Sequence, residues 1–380
     1  MYDRMLIPPK NKSFFLFGPR GTGKSYWVKA TFPNSVYLDL LEAELYIPLM
    51  ANPQRLQEFI GKTTKQQWII VDEVQKIPEL LNEVHRLIEK NHYKFILTGS
   101  SARKLKKKGV NLLAGRALTY HLYPLTSSEL GKDFVLNQSI QFGHLPSVFS
   151  EENPKKYLQS YIQTYLKEEI QQEGLTRNLG AFLRFLEAAS FSQGSTINIA
   201  EVARECSVHR KVVEQYFVIL EDLLLAKFLP VFTKRSKRRL LAHPKFYYFD
   251  VGIYRALRPR GPLDRSEEID GHALETLFFQ ELTALNDYMQ TDGQIYYWKT
   301  ASQIEVDFVW YGNSNIYAFE IKRENKVSSE SLKGLKAFLK DYPQAQAFLV
   351  YCGDKVMIQD DIQILPFQIA INKLPQLLAQ

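Results

Sequence analysis

Short apolar runs alternate with helical patterns over the first 125 residues of the chain. Each run ends in a polar or glycine-containing turn, which is typical of a buried strand. Strands that alternate with helices favour a parallel sheet covered by helices on both faces. The predicted strands are Ser13–Phe17, Ser35–Leu40, Trp68–Val71, Lys94–Leu97 and Ala117–Leu125.

The pattern changes twice in the rest of the chain. Residues 155–229 are helical in pattern, and aromatic-rich strand patterns return from about residue 240, as in Glu305–Trp310 and Ile316–Ile321. We therefore predict three domains, which cover residues 1–150, 151–235 and 236–380. A chain of 380 residues can bury such cores without disulfides or structural metals.

Composition adds an expected location and a weak indication of a partner. The chain has 48 Lys and Arg against 41 Asp and Glu, a net charge of +7 that is informative only where basic residues cluster. Its two cysteines, Cys206 and Cys352, cannot form a zinc knuckle or a disulfide framework. We find no signal peptide and no run near the roughly 20 apolar residues of a membrane span. We expect a soluble cytoplasmic protein that does not contact membranes.

A glycine-rich segment follows the first predicted strand and matches the phosphate-loop pattern G-x-x-x-x-G-K-[ST], or Walker A, without a gap. Glycines there allow backbone N–H groups to surround phosphate oxygens, although a chance glycine-rich turn is the alternative. Lys24 would place its charge at the β- and γ-phosphates, and Ser25 would bind Mg²⁺. The predicted nucleotide-binding residues are Gly18, Pro19, Arg20, Gly21, Thr22, Gly23, Lys24 and Ser25.

Two further predicted strands end in polar residues that would lie beside the phosphate loop. Asp72 and Glu73 follow Trp68–Val71, as in a Walker B strand, and the carboxyl ends of parallel strands share one edge of a sheet. We predict that Asp72 holds Mg²⁺ and that Glu73 polarises the attacking water; an acidic helix cap is the alternative. Thr98 and Ser100 could sense the γ-phosphate or place the water, but a capped turn explains them equally well.

Arg116 directly precedes the last of these strands. An arginine that reaches the phosphate of a neighbouring chain can raise the hydrolysis rate by roughly 10³–10⁵. An ordinary surface arginine is the alternative.

These segments resemble the AAA-type ATP-binding proteins that carry a C-terminal domain of unknown function. The resemblance covers nearly the whole chain, since it extends to Gly143–Pro146, Tyr161–Leu166, Lys245–Asp250 and Gly271–Glu275. It implies an ATPase core with ATP and Mg²⁺ as cofactors and Glu73 as the catalytic glutamate. It also implies one further strand between the phosphate-loop strand and the Asp72 strand. The lid of ring-forming AAA proteins is not evident, which argues against a hexameric motor.

Residues 196–227 have the pattern of a helix-turn-helix. Ile199–Cys206 is a short amphipathic helix, and Ser207 is a candidate N-cap of the next helix. The first turn of that helix carries basic residues where a recognition helix meets DNA bases, and a basic run in a predicted wing-like hairpin follows. A packing module with a solvated basic loop is the alternative. The candidate DNA contacts are His209, Arg210, Lys211, Lys234, Arg235, Lys237, Arg238 and Arg239. A similar basic run at residues 103–108 could line the same groove or be a solvated helix face.

The last predicted hairpin carries a second set of polar residues. If its turn centres near Asn313–Ser314, Asp307 falls opposite or adjacent to Glu320, and Lys322 lies on the same face as Glu320. An upstream helix could add Glu275. This spacing resembles the restriction-endonuclease-like fold, in which such carboxylates bind Mg²⁺ for phosphodiester hydrolysis. A cross-strand salt network is the alternative.

The predicted fold is therefore α/β: a P-loop NTPase parallel sheet of AAA type, a helical winged-helix module, and a mixed α+β restriction-endonuclease-like domain. The first hypothesis is a Mg²⁺-dependent ATPase whose nucleotide state controls a DNA-binding C-terminal half. The second is a nucleotide-gated, metal-dependent DNA nuclease. The third is a nucleotide switch without turnover that binds a protein partner. Nucleotide is an expected partner in all three, DNA in the first two, and a homo-oligomer stays open.

Overall fold

The computed structural model describes residues 2–61, 67–107, 113–166, 168, 170, 178–234, 243–262 and 264–379. The chain forms two compact units. The N-terminal unit comprises Asp3–Tyr123 with Asp222–Leu225, and the C-terminal unit comprises Met1–Tyr2, Pro124–Glu221 and Ala226–Gln380. The division into three domains stays a prediction.

A five-stranded parallel sheet forms the centre of the N-terminal unit. Its spatial order is β2-β3-β4-β1-β5, so β4 lies between β1 and β3, as the resemblance implied. The predicted parallel α/β sheet is confirmed. The strands are β1 (Ser13–Phe17), β2 (Val36–Asp39), β3 (Trp68–Asp72), β4 (Lys94–Gly99) and β5 (Ala117–His121).

Helices cover this sheet because their apolar sides pack on its buried strands. All five residues of β1 are buried, and the side of α4 that includes Leu80, Val84 and Leu87 joins the same core. The strand predicted to continue to Leu125 ends at His121. The helices are α1 (Lys24–Thr31), α2 (Ala43–Ala51), α3 (Leu56–Ile60), α4 (Leu80–Asn91) and α5 (Arg103–Lys107).

The C-terminal unit begins with short helices. Thr126 and Glu129 form a capping box at the start of the first one, which satisfies two backbone N–H groups there. The helices are α6 (Ser127–Leu130), α7 (Leu136–Phe142), α8 (Pro154–Ser160), a π-helical segment (Tyr161–Leu166) and α9 (Leu179–Ser190).

A helix-turn-helix and a small antiparallel sheet follow. The elements are β6 (Ser195–Thr196), α10 (Ile199–Cys206), α11 (Arg210–Asp222), β7 (Ala226–Leu229) and β8 (Lys245–Tyr248), and the sheet order is β6-β8-β7. The prediction that Ser207 caps α11 is wrong, because Ser207 ends α10 in the left-handed conformation with φ of 56°. His209 precedes α11 instead, and its Nδ1 accepts a hydrogen bond from the Lys211 backbone N–H at 3.3 Å.

A mixed six-stranded sheet completes the C-terminal unit, in the order β13-β14-β12-β11-β10-β9. Strands β11, β12 and β14 are parallel to one another, and the other pairs are antiparallel. The elements are α12 (Val251–Leu257), α13 (Ser266–Tyr288), β9 (Gln294–Lys299), β10 (Glu305–Tyr311), β11 (Ile316–Lys322), α14 (Lys333–Asp341), β12 (Gln346–Tyr351), β13 (Met357–Gln359), β14 (Ile362–Pro366) and α15 (Phe367–Leu378).

A buried carboxylate, Asp250, joins two distant segments of this unit. It accepts hydrogen bonds from the backbone N–H groups of His144 at 2.8 Å, Gly252 at 2.8 Å and Ile253 at 3.1 Å. Gly143 has a φ of 71°, and a Cβ there would lie 2.2 Å from Asp250 Oδ1. Glycine is therefore required beside Asp250 by both space and backbone conformation.

In the described part of the chain, no helix is both long enough and apolar enough to cross a membrane.

Candidate functional site

The phosphate loop connects β1 to α1, and its glycines are required by the backbone. Gly21 and Gly23 have φ of 86° and 91°, which residues with a Cβ rarely adopt. A Cβ on Gly18 would lie 2.3 Å from the Leu122 carbonyl oxygen. Helix α1 begins at Lys24, so the loop lies at a helix N-terminus, where backbone N–H groups attract phosphate.

Lys24 lies inside this loop and is only 6% exposed. Its ammonium donates to the carbonyl oxygens of Gly18 at 2.7 Å and Pro19 at 3.1 Å. The Thr22 hydroxyl also donates to the Pro19 oxygen, at 2.9 Å. Arg20 is exposed at the tip. The loop therefore holds the lysine charge at the place where its backbone N–H groups would receive phosphate.

Asp72 ends β3, is 2% exposed, and accepts hydrogen bonds from two neighbouring strands. The hydroxyls of Tyr37 on β2 and Thr98 on β4 donate to its two carboxylate oxygens. Burial and the nearby Asp72 raise the pKa of Tyr37 far above its ordinary value, and the nearby Ser25 lowers it slightly. Ser25 and Asp72 thus meet around Tyr37. Carboxylate and hydroxyl oxygens are ligands that suit Mg²⁺, so the residues present fit the expected ion.

Glu73 follows in the left-handed conformation, with φ of 61° and ψ of 41°, which is uncommon for a residue with a side chain. The Gln75 side-chain amide donates to its carboxylate and lies 3.4 Å from the Ser100 hydroxyl. A Cβ on Gly99 would lie 2.4 Å from Gln75 Oε1, so glycine leaves room for this amide. Gln75 therefore links the predicted catalytic carboxylate to the end of β4.

Tyr37 and Gln75 are site residues that sequence reasoning missed. Tyr37 lies inside an apolar strand pattern, and Gln75 follows the two acidic residues without any motif of its own. Each is identified only by its contacts across the sheet edge.

Arg116 lies away from these residues. It directly precedes β5 at the amino ends of the parallel strands, whereas the phosphate loop lies at their carboxyl ends. Its side chain forms an ion pair with Glu89 of α4. Within one chain Arg116 therefore cannot reach its own phosphate loop, and a role toward a neighbouring chain stays a prediction.

The candidate DNA-contact residues are only partly described. His209, Arg210 and Lys211 are exposed at the start of α11. Lys234 Nζ lies 4.7 Å from the centre of the Tyr311 ring. The remaining predicted contacts, Arg235, Lys237, Arg238 and Arg239, lie outside the described residues, as does Lys108 of the other basic run.

The four residues of the predicted C-terminal site lie together. Register pairs Phe308 with Phe319, which places Asp307 of β10 opposite Glu320 of β11. Lys322 pairs with Glu320 Oε1 at 2.7 Å, and the Ile321 backbone N–H donates to Asp307 Oδ2 at 2.8 Å. Glu275 of α13 reaches the same place. We call Glu275, Glu305, Asp307 and Glu320 the carboxylate cluster.

A lysine that sequence reasoning missed lies among these carboxylates. Lys245 opens β8, is 3% exposed, and its Nζ lies 3.4 Å from Glu275 Oε1 and 3.7 Å from Asp307 Oδ1. It also forms an ion pair with Glu305, which Lys299 contacts at 2.8 Å. The Tyr247 hydroxyl donates to Glu275. The sequence contained one sign of this arrangement. Lys245 and Tyr247 are two positions apart, which places both side chains on one face of a strand.

The carboxyl groups of the cluster differ in acidity. Burial raises the pKa of Asp307 to about 6 and that of Glu320 to about 8, and neighbouring carboxylates add to both shifts. Burial would also raise the pKa of Glu275, but the Lys245 ammonium and the His272 imidazole, 3.8 Å from Glu275 Oε2, lower it to about 2. Of Glu275, Asp307 and Glu320, Glu275 therefore carries its charge most readily.

A comparison with protein families identifies the N-terminal segment. A model described as an AAA domain matches residues 10–131. Residues 10–131 are therefore similar to AAA domains. This similarity supports a nucleotide-binding protein of the ATPase type, and such domains commonly take a nucleotide with Mg²⁺.

The rest of the chain matches models without a known function. Models described as domains of unknown function, DUF8612 and DUF4143, match residues 133–264 and 270–370. An uncharacterised protein of Mycobacterium tuberculosis is 26% identical over 306 residues, which cover 78% of this chain and 68% of the relative. An uncharacterised protein of Methanocaldococcus jannaschii is 24% identical over 370 residues, which cover 88% of this chain and 80% of the relative. The expected AAA domain with a C-terminal domain of unknown function is confirmed.

Two solved structures show only a weak likeness. The Aeropyrum pernix ORC1 protein in complex with DNA has a TM-score of 0.23 and 13% identity, over 66% of this chain and 87% of that one. Protein VC1899 from Vibrio cholerae has a TM-score of 0.24 and 12% identity, over 88% of this chain and 94% of that one. Such low scores do not establish a shared fold. The DNA in the Aeropyrum pernix structure is bound by that protein.

We expect Gly99→Ala to slow ATP turnover while the protein stays folded. The added methyl group would displace Gln75 Oε1, the end of a flexible side chain, and so disturb the amide that holds Glu73. Turnover should fall roughly tenfold or more with ATP affinity kept, because a small misplacement of a catalytic group is costly. Steady-state kinetics and nucleotide titration measure both quantities.

Gly271→Ala is the matched control, since a Cβ at Gly271 meets nothing within 4 Å. It should leave turnover unchanged. Equal turnover rates for Gly99→Ala and the wild type would show that Gln75 does not position Glu73.

We expect Glu320→Gln to change how stability depends on pH. Burial raises the pKa of Glu320 from 4.5 to about 8, so between these values the folded state retains a proton that the unfolded chain has lost. Wild-type stability therefore falls as pH rises through this window, and the neutral glutamine is spared that loss. Denaturant unfolding between pH 5 and 8 should show the variant gaining roughly 1–3 kcal/mol relative to the wild type.

Glu330→Gln is the control for this experiment, because Glu330 is 79% exposed and pairs only with the exposed Lys333 among the described residues. Its stability should follow the wild type across the range. Parallel curves for Glu320→Gln and the wild type would contradict the raised pKa.

Proposed function

We propose that this chain is a Mg²⁺-dependent ATPase whose nucleotide state controls DNA binding by its C-terminal unit. The observation that supports the ATPase is the meeting of Lys24, Asp72 and Glu73 at one edge of the AAA sheet. Lys24 comes from the phosphate loop, whereas Asp72 and Glu73 lie at the end of β3, and each is held by contacts that a surface turn would not need.

The phosphate loop would bind the nucleotide. Its backbone N–H groups and the N-terminus of α1 face the phosphates, and Lys24 supplies a positive charge already held inside the loop. Ser25 and Asp72 would hold Mg²⁺, which neutralises charge on the phosphate oxygens when bound with ATP.

Glu73 would act as the general base. Its carboxylate follows β3 and is held by the Gln75 amide, which also approaches Ser100. Through this contact Glu73 would be oriented toward a water at the γ-phosphate. Thr98 lies against Asp72 and would fix that carboxylate rather than contact the water itself.

The DNA-binding half of the proposal is supported by α11. His209, Arg210 and Lys211 are exposed around its start, where positive charge is unfavourable to the helix dipole and so indicates another purpose. The order helix, strand, helix, helix, strand, strand from α9 to β8 is typical of a winged helix, whose second helix of the helix-turn-helix enters the major groove.

Lys24→Ala should abolish ATP binding, and Glu73→Gln should bind ATP with turnover reduced about 10²–10⁴-fold. The first change removes the charge held in the loop, and the second removes only the base. Fluorescent-nucleotide titration and phosphate release measure the two effects. Lys90→Ala and Glu44→Gln, at exposed positions on other helices, should match the wild type. Full turnover by purified Glu73→Gln would refute the assigned role.

Arg210→Ala combined with Lys211→Ala should weaken duplex DNA binding and lower the salt slope by about 2, since each lost phosphate contact removes about one counterion. Fluorescence anisotropy across a range of salt concentrations measures the DNA affinity. Repeating it with ATP, with ADP and without nucleotide shows whether the nucleotide changes that affinity. The control variant is Lys155→Ala with Lys156→Ala, which removes the same charge from exposed sites on α8. Absence of any salt-dependent DNA binding by the wild type would favour a nucleotide switch that binds protein.

A further inference from the structure

The restriction-endonuclease-like spacing of Asp307, Glu320 and Lys322 implies a divalent metal ion in the C-terminal unit. In such sites the carboxylates of adjacent strands bind the ion, and the ion neutralises their charge. The structure describes all four side chains of the carboxylate cluster, so the contacts of their oxygens show whether a metal ion would find free ligands there. This question does not depend on the ATPase proposal.

Protein groups already engage most of the oxygens that a metal ion would need. Asp307 Oδ2 accepts the Ile321 backbone N–H, and Asp307 Oδ1 faces Lys245 at 3.7 Å. Glu320 Oε1 pairs with Lys322 at 2.7 Å. Glu275 Oε1 accepts the Tyr247 hydroxyl and lies 3.4 Å from Lys245. Among the described residues, Glu320 Oε2 is buried without a hydrogen-bond partner.

Lys245 lies where the cluster would place its cation. Its ammonium is within 4 Å of three carboxylates, Glu275 of α13 and Glu305 and Asp307 of β10. With Lys299 and Lys322, three ammonium groups face the four carboxylates of the cluster. Buried carboxylates need such neutralisation, and here lysine side chains supply it.

Lys245 is also held in this place. Its side chain is 4% exposed, its Nζ lies 5.5 Å from the centre of the Tyr297 ring, and it forms an ion pair with Glu305, whose side chain is 24% exposed. A dication bound to Asp307 and Glu275 would lie beside this fixed positive charge, which disfavours its binding.

We propose that Lys245 takes the place of the divalent metal ion in the C-terminal unit. Lysine side chains then neutralise most of the charge of the cluster, which binds neither Mg²⁺ nor Mn²⁺ and is not the active site of a metal-dependent nuclease. Removing the lysine charge would leave Asp307, Glu275 and the unpartnered oxygen of Glu320 available, and so would create a divalent-cation site.

The test is Mn²⁺ titration of the full, nucleotide-free chain, followed by electron paramagnetic resonance of the free ion. The wild type and Asp307→Asn should bind the same amount of Mn²⁺. Lys245→Met should gain about one Mn²⁺ per chain, and Lys245→Met with Asp307→Asn should lose it again. Lys245→Arg keeps the charge and should gain none.

Thermal unfolding provides a second measurement on the same proteins. Mn²⁺ should raise the Tm of Lys245→Met by several degrees and leave that of the wild type unchanged, because a ligand stabilises only the protein that binds it. A folded Lys245→Met that gains no Mn²⁺ would overturn the proposal.

The comparison of the wild type with Asp307→Asn does not depend on whether Lys245→Met folds. If the wild type binds Mn²⁺ that Asp307→Asn does not, Lys245 does not fill the site and the proposal is wrong. Mg²⁺-dependent DNA cleavage by the wild type that Asp307→Asn abolishes would overturn it as well. Neither outcome bears on ATP binding at Lys24, so this proposal and the ATPase proposal fail separately.

Discussion

Buried carboxylates must be surrounded by fixed donors, and this requirement organises the polar interior of each unit. Asp72 is held by hydroxyls from the strands on either side of β3, and Asp250 by three backbone N–H groups from two segments. Lys245 does the same for Glu275 and Asp307. Removing the donors would leave charges uncompensated, which costs several kcal/mol at a buried site.

The kind of donor decides what each carboxylate can still bind. Asp72 is surrounded by the neutral hydroxyls of Tyr37 and Thr98, so its negative charge remains available to a cation. Glu275 and Asp307 face the ammonium of Lys245, so a positive charge already lies beside them. The same predicted chemistry, Mg²⁺ between carboxylates at strand ends, would therefore have opposite outcomes at the two sites.

Sequence reasoning predicted the features that depend on neighbouring residues and missed those that depend on distant ones. The phosphate loop and the five strands of the parallel sheet follow from local backbone geometry and apolar runs, so they could be predicted. Tyr37, Gln75 and Lys245 act across strands, and one sequence does not show which segments become neighbours. Ser207 was wrongly predicted to cap α11 because serine is a favourable N-cap residue. The residue before α11 is His209, two positions further on, and its side chain accepts the Lys211 backbone N–H.

Because their charges are balanced differently, the two sites are also expected to depend differently on divalent ions. If a lysine neutralises the carboxylate cluster, the C-terminal unit keeps its structure in the presence of a chelator, since its counter-ion is covalently part of the chain. Of the two predicted metal sites, the one in the AAA domain would then be the one that responds to Mg²⁺. Any effect of Mg²⁺ on DNA binding would in that case act through the nucleotide at Lys24 and Asp72. A nuclease site with its own ion would respond to Mg²⁺ without nucleotide, and this dependence distinguishes an ATP-controlled DNA-binding protein from an ATP-gated nuclease.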